Sequence, residues 1–137
     1  MANQSTFLFV YGTLMSYFNN SFSLALRKRG RLIGGAYTFG ELYEVKGYPE
    51  GFYNPDSNTR IQGELYELIN PKTLLKWLDS YEEITGHEQE DSEYLRKIVP
   101  VFRNGQKIDA WMYIFNRSTN PLNRIESGSF VDYIKNL

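Results

Sequence analysis

Apolar residues come in short clusters separated by polar turns, and the period of each cluster predicts an element. Thr6-Phe7-Leu8-Phe9-Val10-Tyr11 is β-branched and aromatic and reads as a buried strand that stops at Gly12. Residues 19–30 read as a short helix, with Asn20 or Ser21 as cap, Phe22, Leu24 and Leu26 as its apolar side, and Gly30 ending it after Arg27-Lys28-Arg29. That basic run suits the negative end of the helix dipole. Residues 31–45 alternate irregularly around Gly34, Gly35 and Gly40, which predicts a strand broken by a bulge or corner. Gly47, Pro49 and Gly51 predict a loop, and residues 54–58 a turn. Alternation returns over 61–69. Asn70-Pro71 then opens a helix reaching Glu82 or Glu83, with Asn70 as N-cap. After a polar loop over 85–93, residues 94–102 and 107–115 form two strands of a hairpin turned at Asn104-Gly105. Residues 118–129 read as a loop and 130–135 as a terminal helix. The order predicts one mixed α+β domain over residues 1–137, built on a curled sheet or small β-barrel.

On a helical wheel of the second helix, Leu74, Leu75, Trp77, Leu78 and Tyr81 share one arc. Asp79 and Glu83 fall outside it, toward solvent. Glu82 falls inside it, one turn beyond Leu78. A carboxylate there must be paired, neutral or lining a cavity, because an isolated buried charge is too costly. Near the end of a helix it has a second option, which is to bend out to water. Arg96 and Lys97, on the next strand, are the cations that would pair with it. Partial burial would raise its pKa toward the range a general base needs.

Composition narrows the chemistry. Eleven Tyr, nine Phe and two Trp in 137 residues favour a β-rich domain. Fifteen basic against sixteen acidic residues leave no nucleic-acid footprint. The chain has no cysteine, hence no disulfide and no thiol nucleophile, and its one histidine, His87, excludes a multi-histidine metal centre. His87 reads as a solvated loop residue. No apolar run approaches a membrane span and no signal peptide is evident, so the expected location is cytoplasmic.

Three motifs in order carry a resemblance. Tyr11-Gly12-Thr13-Leu14 follows the first strand, Leu78-Asp79-Ser80-Tyr81-Glu82 ends the central helix, and Tyr94-Leu95-Arg96 begins the next strand. With Gly63-Glu64-Leu65-Tyr66, Ala110-Trp111-Met112-Tyr113 and Ser127-Gly128-Ser129-Phe130, the chain resembles the γ-glutamylcyclotransferase-like superfamily from Phe7 to Tyr133, and its γ-glutamylamine cyclotransferase, AIG2-like branch in particular. The resemblance implies a mixed β-barrel with flanking helices, no cofactor and a small γ-glutamyl substrate. It implies that Glu82 is the catalytic acid/base and that Tyr11, Gly12, Thr13 and Leu14 cradle the glutamyl group, with Tyr94 and Arg96 as further substrate contacts. The loop Gly47-Tyr48-Pro49-Glu50-Gly51-Phe52 resembles a family loop near the pocket. Glu83 departs from the family pattern, which often has Gly there.

The implied reaction is intramolecular. The α-amine of a γ-glutamyl group attacks its own γ-carbonyl, giving 5-oxoproline and a free amine. A carboxylate in a half-apolar pocket suits removal of a proton from the ammonium, and N–H groups at a strand-end turn suit the oxyanion. No metal, thiol or histidine is needed. Read alone, the strand-end glycine is an ordinary turn, Tyr94 and Tyr113 are core aromatics and Arg96 is a surface strand residue. The alternative functions are a non-catalytic small-ligand binding module on the same fold, and an interaction protein presenting exposed aromatics.

Overall fold

The computed structural model describes residues 5–45, 47–81, 94–115 and 123–137. Among the described residues the elements run in the order β1 (Phe7–Val10), α1 (Ser21–Arg29), β2 (Gly30–Val45), β3 (Tyr48–Tyr53), β4 (Arg60–Leu68), α2 (Pro71–Tyr81), β5 (Tyr94–Arg103), β6 (Gln106–Phe115), β7 (Asn123–Arg124) and α3 (Phe130–Lys135). The sheet runs β3-β2-β4-β1-β6-β5, and β2 also pairs with β5 through Tyr37 and Phe102. That last pairing closes β2, β4, β1, β6 and β5 into a five-stranded barrel. The α+β barrel with flanking helices is the predicted architecture.

β2 serves two sheets because it bends. Its register with β4 slips between Leu32 and Gly34, and Gly34 takes a φ of 142° that a side chain would strain. The β5–β6 hairpin turns on Asn104 and Gly105 at φ 52° and 78°, the left-handed pair that two-residue hairpins require. Asn20 caps α1 through a capping box: its side chain accepts from the Ser23 N–H at 2.8 Å, and the Ser23 hydroxyl accepts from the Asn20 N–H at 3.2 Å.

Three expectations change. The expected loop at 47–51 contributes Tyr48–Gly51 to β3, paired to β2 from Val45↔Tyr48 to Gly40↔Tyr53, because the extended Pro49 sits on an edge where no ladder N–H is missed. The expected loop at 118–129 contains β7, a two-residue strand on β2. Asn70 stands at the N-cap position of α2, immediately before Pro71, but not in the extended backbone usual there. It takes φ 53°, and its carbonyl accepts the Leu74 N–H at 3.1 Å. The expected extension of α2 to Glu82 or Glu83, and the loop at 85–93, lie outside the described residues.

Two cores result. Phe9, Leu65, Val101, Met112 and Ile61 fill the barrel. Leu8, Val10 and Tyr66 face outward and meet Leu26 of α1 and Leu74, Leu75 and Leu78 of α2. The three leucines of α2 are 1%, 5% and 0% exposed, so the apolar arc of the wheel is the buried face. Each stabilises the packing of α2 by about 1.5–3 kcal/mol. This pins α2 across β1, with its last turn at the end of the barrel where β1 also ends.

Candidate active site

β1 ends at Val10, and Tyr11 to Ser16 form consecutive turns: the Met15 N–H donates to the Gly12 carbonyl at 3.0 Å, and the Phe18 N–H to that of Met15 at 3.0 Å. Tyr11 and Leu14 are buried, while Gly12 and Thr13 are partly open. The turn is tied down from three sides. Glu64 on β4 accepts from the Ser16 N–H and the Ser16 hydroxyl, both at 2.7 Å. The Arg27 guanidinium donates to the Ser16 and Phe18 carbonyls at 3.2 Å each. Asn20 donates to the Thr13 carbonyl at 2.8 Å. Arg27 thus does more than complement the α1 dipole: it holds the chain that carries the turn.

Gly12 owes its identity to a close approach rather than to an unusual φ. A Cβ there would lie 2.6 Å from Pro49 Cγ on β3. The same strand meets Tyr11: the Tyr11 hydroxyl accepts from the Gly51 N–H at 3.1 Å and donates to the Tyr113 carbonyl at 2.7 Å. A Cβ on Gly51 would be 2.8 Å from Tyr11 Cζ. One hydroxyl therefore joins the end of β1 to β3 and β6.

Between Pro49 and Gly51 stands Glu50, only 4% exposed, with Oε2 accepting from the Tyr94 hydroxyl at 2.7 Å. The Tyr94 ring lies 5.7 Å from Phe115, which lies 5.6 Å from Phe52, so the hydroxyl that meets this carboxylate belongs to a row of aromatic rings running from β5 through β6 to β3. Tyr94 begins β5, at the end of the barrel where β1 ends. Sequence reasoning passed over Glu50. It is embedded in a Gly-Pro-Gly stretch that reads as an exposed loop, and only its pairing into β3 turns it inward.

Arg96 is placed by different partners. Its Nε donates to Asp79 Oδ1 at 2.7 Å and a terminal nitrogen to Oδ2 at 3.0 Å, and the guanidinium covers Trp111 at 4.4 Å. The Tyr113 hydroxyl adds a bond to Asp79 Oδ1 at 2.8 Å. The expectation that Asp79 faces solvent is corrected: its side chain is 21% exposed because β5 and β6 flank the side of α2 that the apolar arc leaves out. The carboxylate that Arg96 meets is Asp79. Tyr113 consequently links two parts of the site, accepting from Tyr11 through its carbonyl and donating to the last turn of α2 through its hydroxyl.

The structure thus brings Tyr11, Gly12, the Pro49–Gly51 segment and Tyr94 together, with Asp79 of α2 one residue's width away through Tyr113. Glu82, three positions after Asp79 in the sequence, lies outside the described residues, as does His87. Among the described residues no cluster of three or more His, Cys, Asp or Glu is arranged to hold a metal ion, and no helix is long and apolar enough to cross a membrane.

Comparison with known proteins points to one family and one fold. The model of a family described as γ-glutamyl cyclotransferase, AIG2-like, matches residues 8–132. Over 127 residues the chain is 29% identical to the γ-glutamylcyclotransferase family protein ytfP of Citrobacter rodentium, covering 91% of this chain and 95% of that one. The solution structure of ytfP from Escherichia coli is similar at a TM-score of 0.65 and 26% identity, over 93% of this chain and 98% of that one. The crystal structure of YkqA from Bacillus subtilis is similar at a TM-score of 0.71 and 25% identity, over 95% of this chain and 41% of that one.

Proposed function

The chain belongs to the γ-glutamyl cyclotransferase, AIG2-like family, and we propose that it is a cyclotransferase releasing 5-oxoproline from a γ-glutamyl amine or related γ-glutamyl conjugate. The observation that carries this reading is the double role of Tyr113. Its carbonyl takes the Tyr11 hydroxyl at 2.7 Å and its own hydroxyl reaches Asp79 at 2.8 Å. The Tyr11–Leu14 turn and the last turn of α2, which leads in sequence to Glu82, are thereby fixed to one residue.

In this reading Glu82 takes a proton from the substrate's α-ammonium. The freed amine attacks the γ-carbonyl, forming the ring C–N bond and a tetrahedral oxyanion. Backbone N–H groups of the Gly12–Leu14 turn stabilise that oxyanion, held in advance by Glu64, Arg27 and Asn20, so little reorganisation is needed as charge develops. Collapse breaks the original C–N bond, and Glu82 returns the proton to the leaving amine. Holding the substrate curled brings amine and carbonyl together and supplies much of the acceleration. Tyr94 contacts the substrate from β5, and Arg96 acts through Asp79, holding the last turn of α2 at the edge of the site. The reaction consumes no cofactor.

The test is incubation of the purified protein with γ-glutamyl-ε-lysine, γ-glutamyl dipeptides and glutathione, followed by assay of 5-oxoproline. Turnover that vanishes in Glu82→Gln with unfolding temperature unchanged supports the reading. Absence of 5-oxoproline with ligand binding retained would identify a binding module instead.

A further inference from the structure

The reaction leaves Glu50 unused. It is 4% exposed, and its nearest chain neighbours are the two residues that touch the turn: Pro49 against Gly12, and Gly51, whose N–H reaches the Tyr11 hydroxyl at 3.1 Å. Its Oε2 is oriented by the Tyr94 hydroxyl at 2.7 Å. A carboxylate this buried has lost most of its hydration, so its charge is less screened toward a cation brought to it than on the surface.

We propose that Glu50 is a substrate-binding carboxylate that holds the α-ammonium of the γ-glutamyl group. The proposal rests on the cyclotransferase reading. The glutamyl half of such a substrate carries one cation, the α-ammonium, whatever the amine on its γ-carbonyl. The turn at Gly12–Leu14 offers N–H donors and suits the oxygens of that half; Glu50, on the strand packed against the turn, suits its nitrogen. The ammonium has three N–H bonds. One is given to the general base, and a second held by Glu50 fixes rotation about the Cα–N bond. The lone pair left by deprotonation then points to the γ-carbonyl. No covalent bond to Glu50 forms, and its protonation state does not change. The contribution is made on binding and persists in the transition state, so it belongs in KM more than in kcat.

The decisive experiment compares Glu50→Gln with the unaltered protein on two ligands: a γ-glutamyl alkylamide, and the glutaryl alkylamide that has hydrogen in place of the α-ammonium and cannot cyclise. KM and kcat are measured for the first and Ki for the second, with calorimetric affinities for both. Glutamine keeps the size of the side chain and an acceptor for Tyr94 but loses the charge. The expected result is a rise in KM of about tenfold or more with kcat within a few-fold, and an unchanged Ki for the glutaryl compound. Equal losses on both ligands, or no loss on either, would overturn the assignment. If Glu50→Gln fails to fold, Glu50→Asp serves: it keeps the charge but withdraws it by one methylene, and should weaken only the γ-glutamyl ligand, by a smaller factor; equal weakening of both ligands would overturn the assignment. If the unaltered protein binds neither ligand, the cyclotransferase reading itself fails and this assignment with it. Binding without turnover by the unaltered protein leaves the two-ligand comparison intact as a test of Glu50.

Discussion

Gly12 lies against Pro49 so closely that a methyl group on Gly12 would stand 2.6 Å from the proline Cγ. The proline ring cannot swing aside as a long side chain would. Either the turn or β3 must move, and both carry residues of the candidate site. Gly12→Ala should therefore cost about 1–3 kcal/mol of stability through overpacking. Displacing the turn should lower 5-oxoproline formation by about a hundredfold, because a shift near 1 Å is enough to spoil attack geometry. Thermal unfolding and kcat/KM measured together check this. A variant as stable as the parent would show that the contact relaxes freely.

Tyr11 joins three strands through one oxygen. In Tyr11→Phe the Tyr113 carbonyl loses its donor and the Gly51 N–H its acceptor, both buried. The expected cost is about 1–3 kcal/mol in denaturant unfolding. The ring still fills its place beside Gly51, so the fold should persist and the loss should appear as a lower midpoint with an unchanged slope.

The sequence made the barrel legible where a local rule decides the element. Asn20 and Gly30 bound α1, Asn104-Gly105 sets the hairpin, and Leu74, Leu75 and Leu78 give the buried face of α2. It misled where a long-range pairing overrides local composition. Tyr48–Gly51 reads as a loop because it holds Pro and Gly, yet pairing with β2 makes it a strand and turns Glu50 inward. Asp79 reads as solvent-facing because a wheel knows only its own helix, whereas β5 and β6 bring Arg96 and Tyr113 to it. Tyr11 and Tyr94 come to one end of the barrel because β1 ends where the antiparallel β5 begins. The partners that fix them, Tyr113, Gly51 and Glu50, come from strands distant in sequence and carry no local signal.

Tyr66 is fully buried between the barrel and the helices, and its hydroxyl has no hydrogen-bond partner among the described residues. Burial is the main cause that raises its pKa above 10.0, and Glu64 adds to it by charge; Arg27 nearby lowers it by charge and polar contact, without a bond of good geometry. The folded state therefore keeps this proton at pH values where the unfolded chain has released it. The stabilisation is complete below about pH 10, the unfolded value, and is lost as pH rises from there toward the folded value. Tyr66→Phe should be neutral or stabilising near pH 7, since it removes a buried polar atom that lacks a hydrogen bond. It should also flatten the loss of stability above pH 10 compared with the parent. Unfolding midpoints from pH 7 to 11 test both parts.

Arg96 and Asp79 form a two-pronged ion pair whose side chains are 22% and 21% exposed. Replacing either partner leaves the other largely buried without its counter-charge, Asp79 keeping only the Tyr113 hydroxyl and Arg96 only the Trp111 ring among the described residues, so Arg96→Gln and Asp79→Asn should each lose about 1–3 kcal/mol. Because both remove the same interaction, the double variant should lose clearly less than the sum, with a coupling of at least about 1 kcal/mol. Kinetics separate this structural role from substrate contact. Arg96 acting only through Asp79 would make the two single variants alike in KM for a γ-glutamyl substrate. Direct contact between Arg96 and substrate would raise KM in Arg96→Gln well beyond Asp79→Asn. The geometry of the pair, with two nitrogens already on the carboxylate at 2.7 and 3.0 Å, leads us to expect similar KM values and a shared loss of stability.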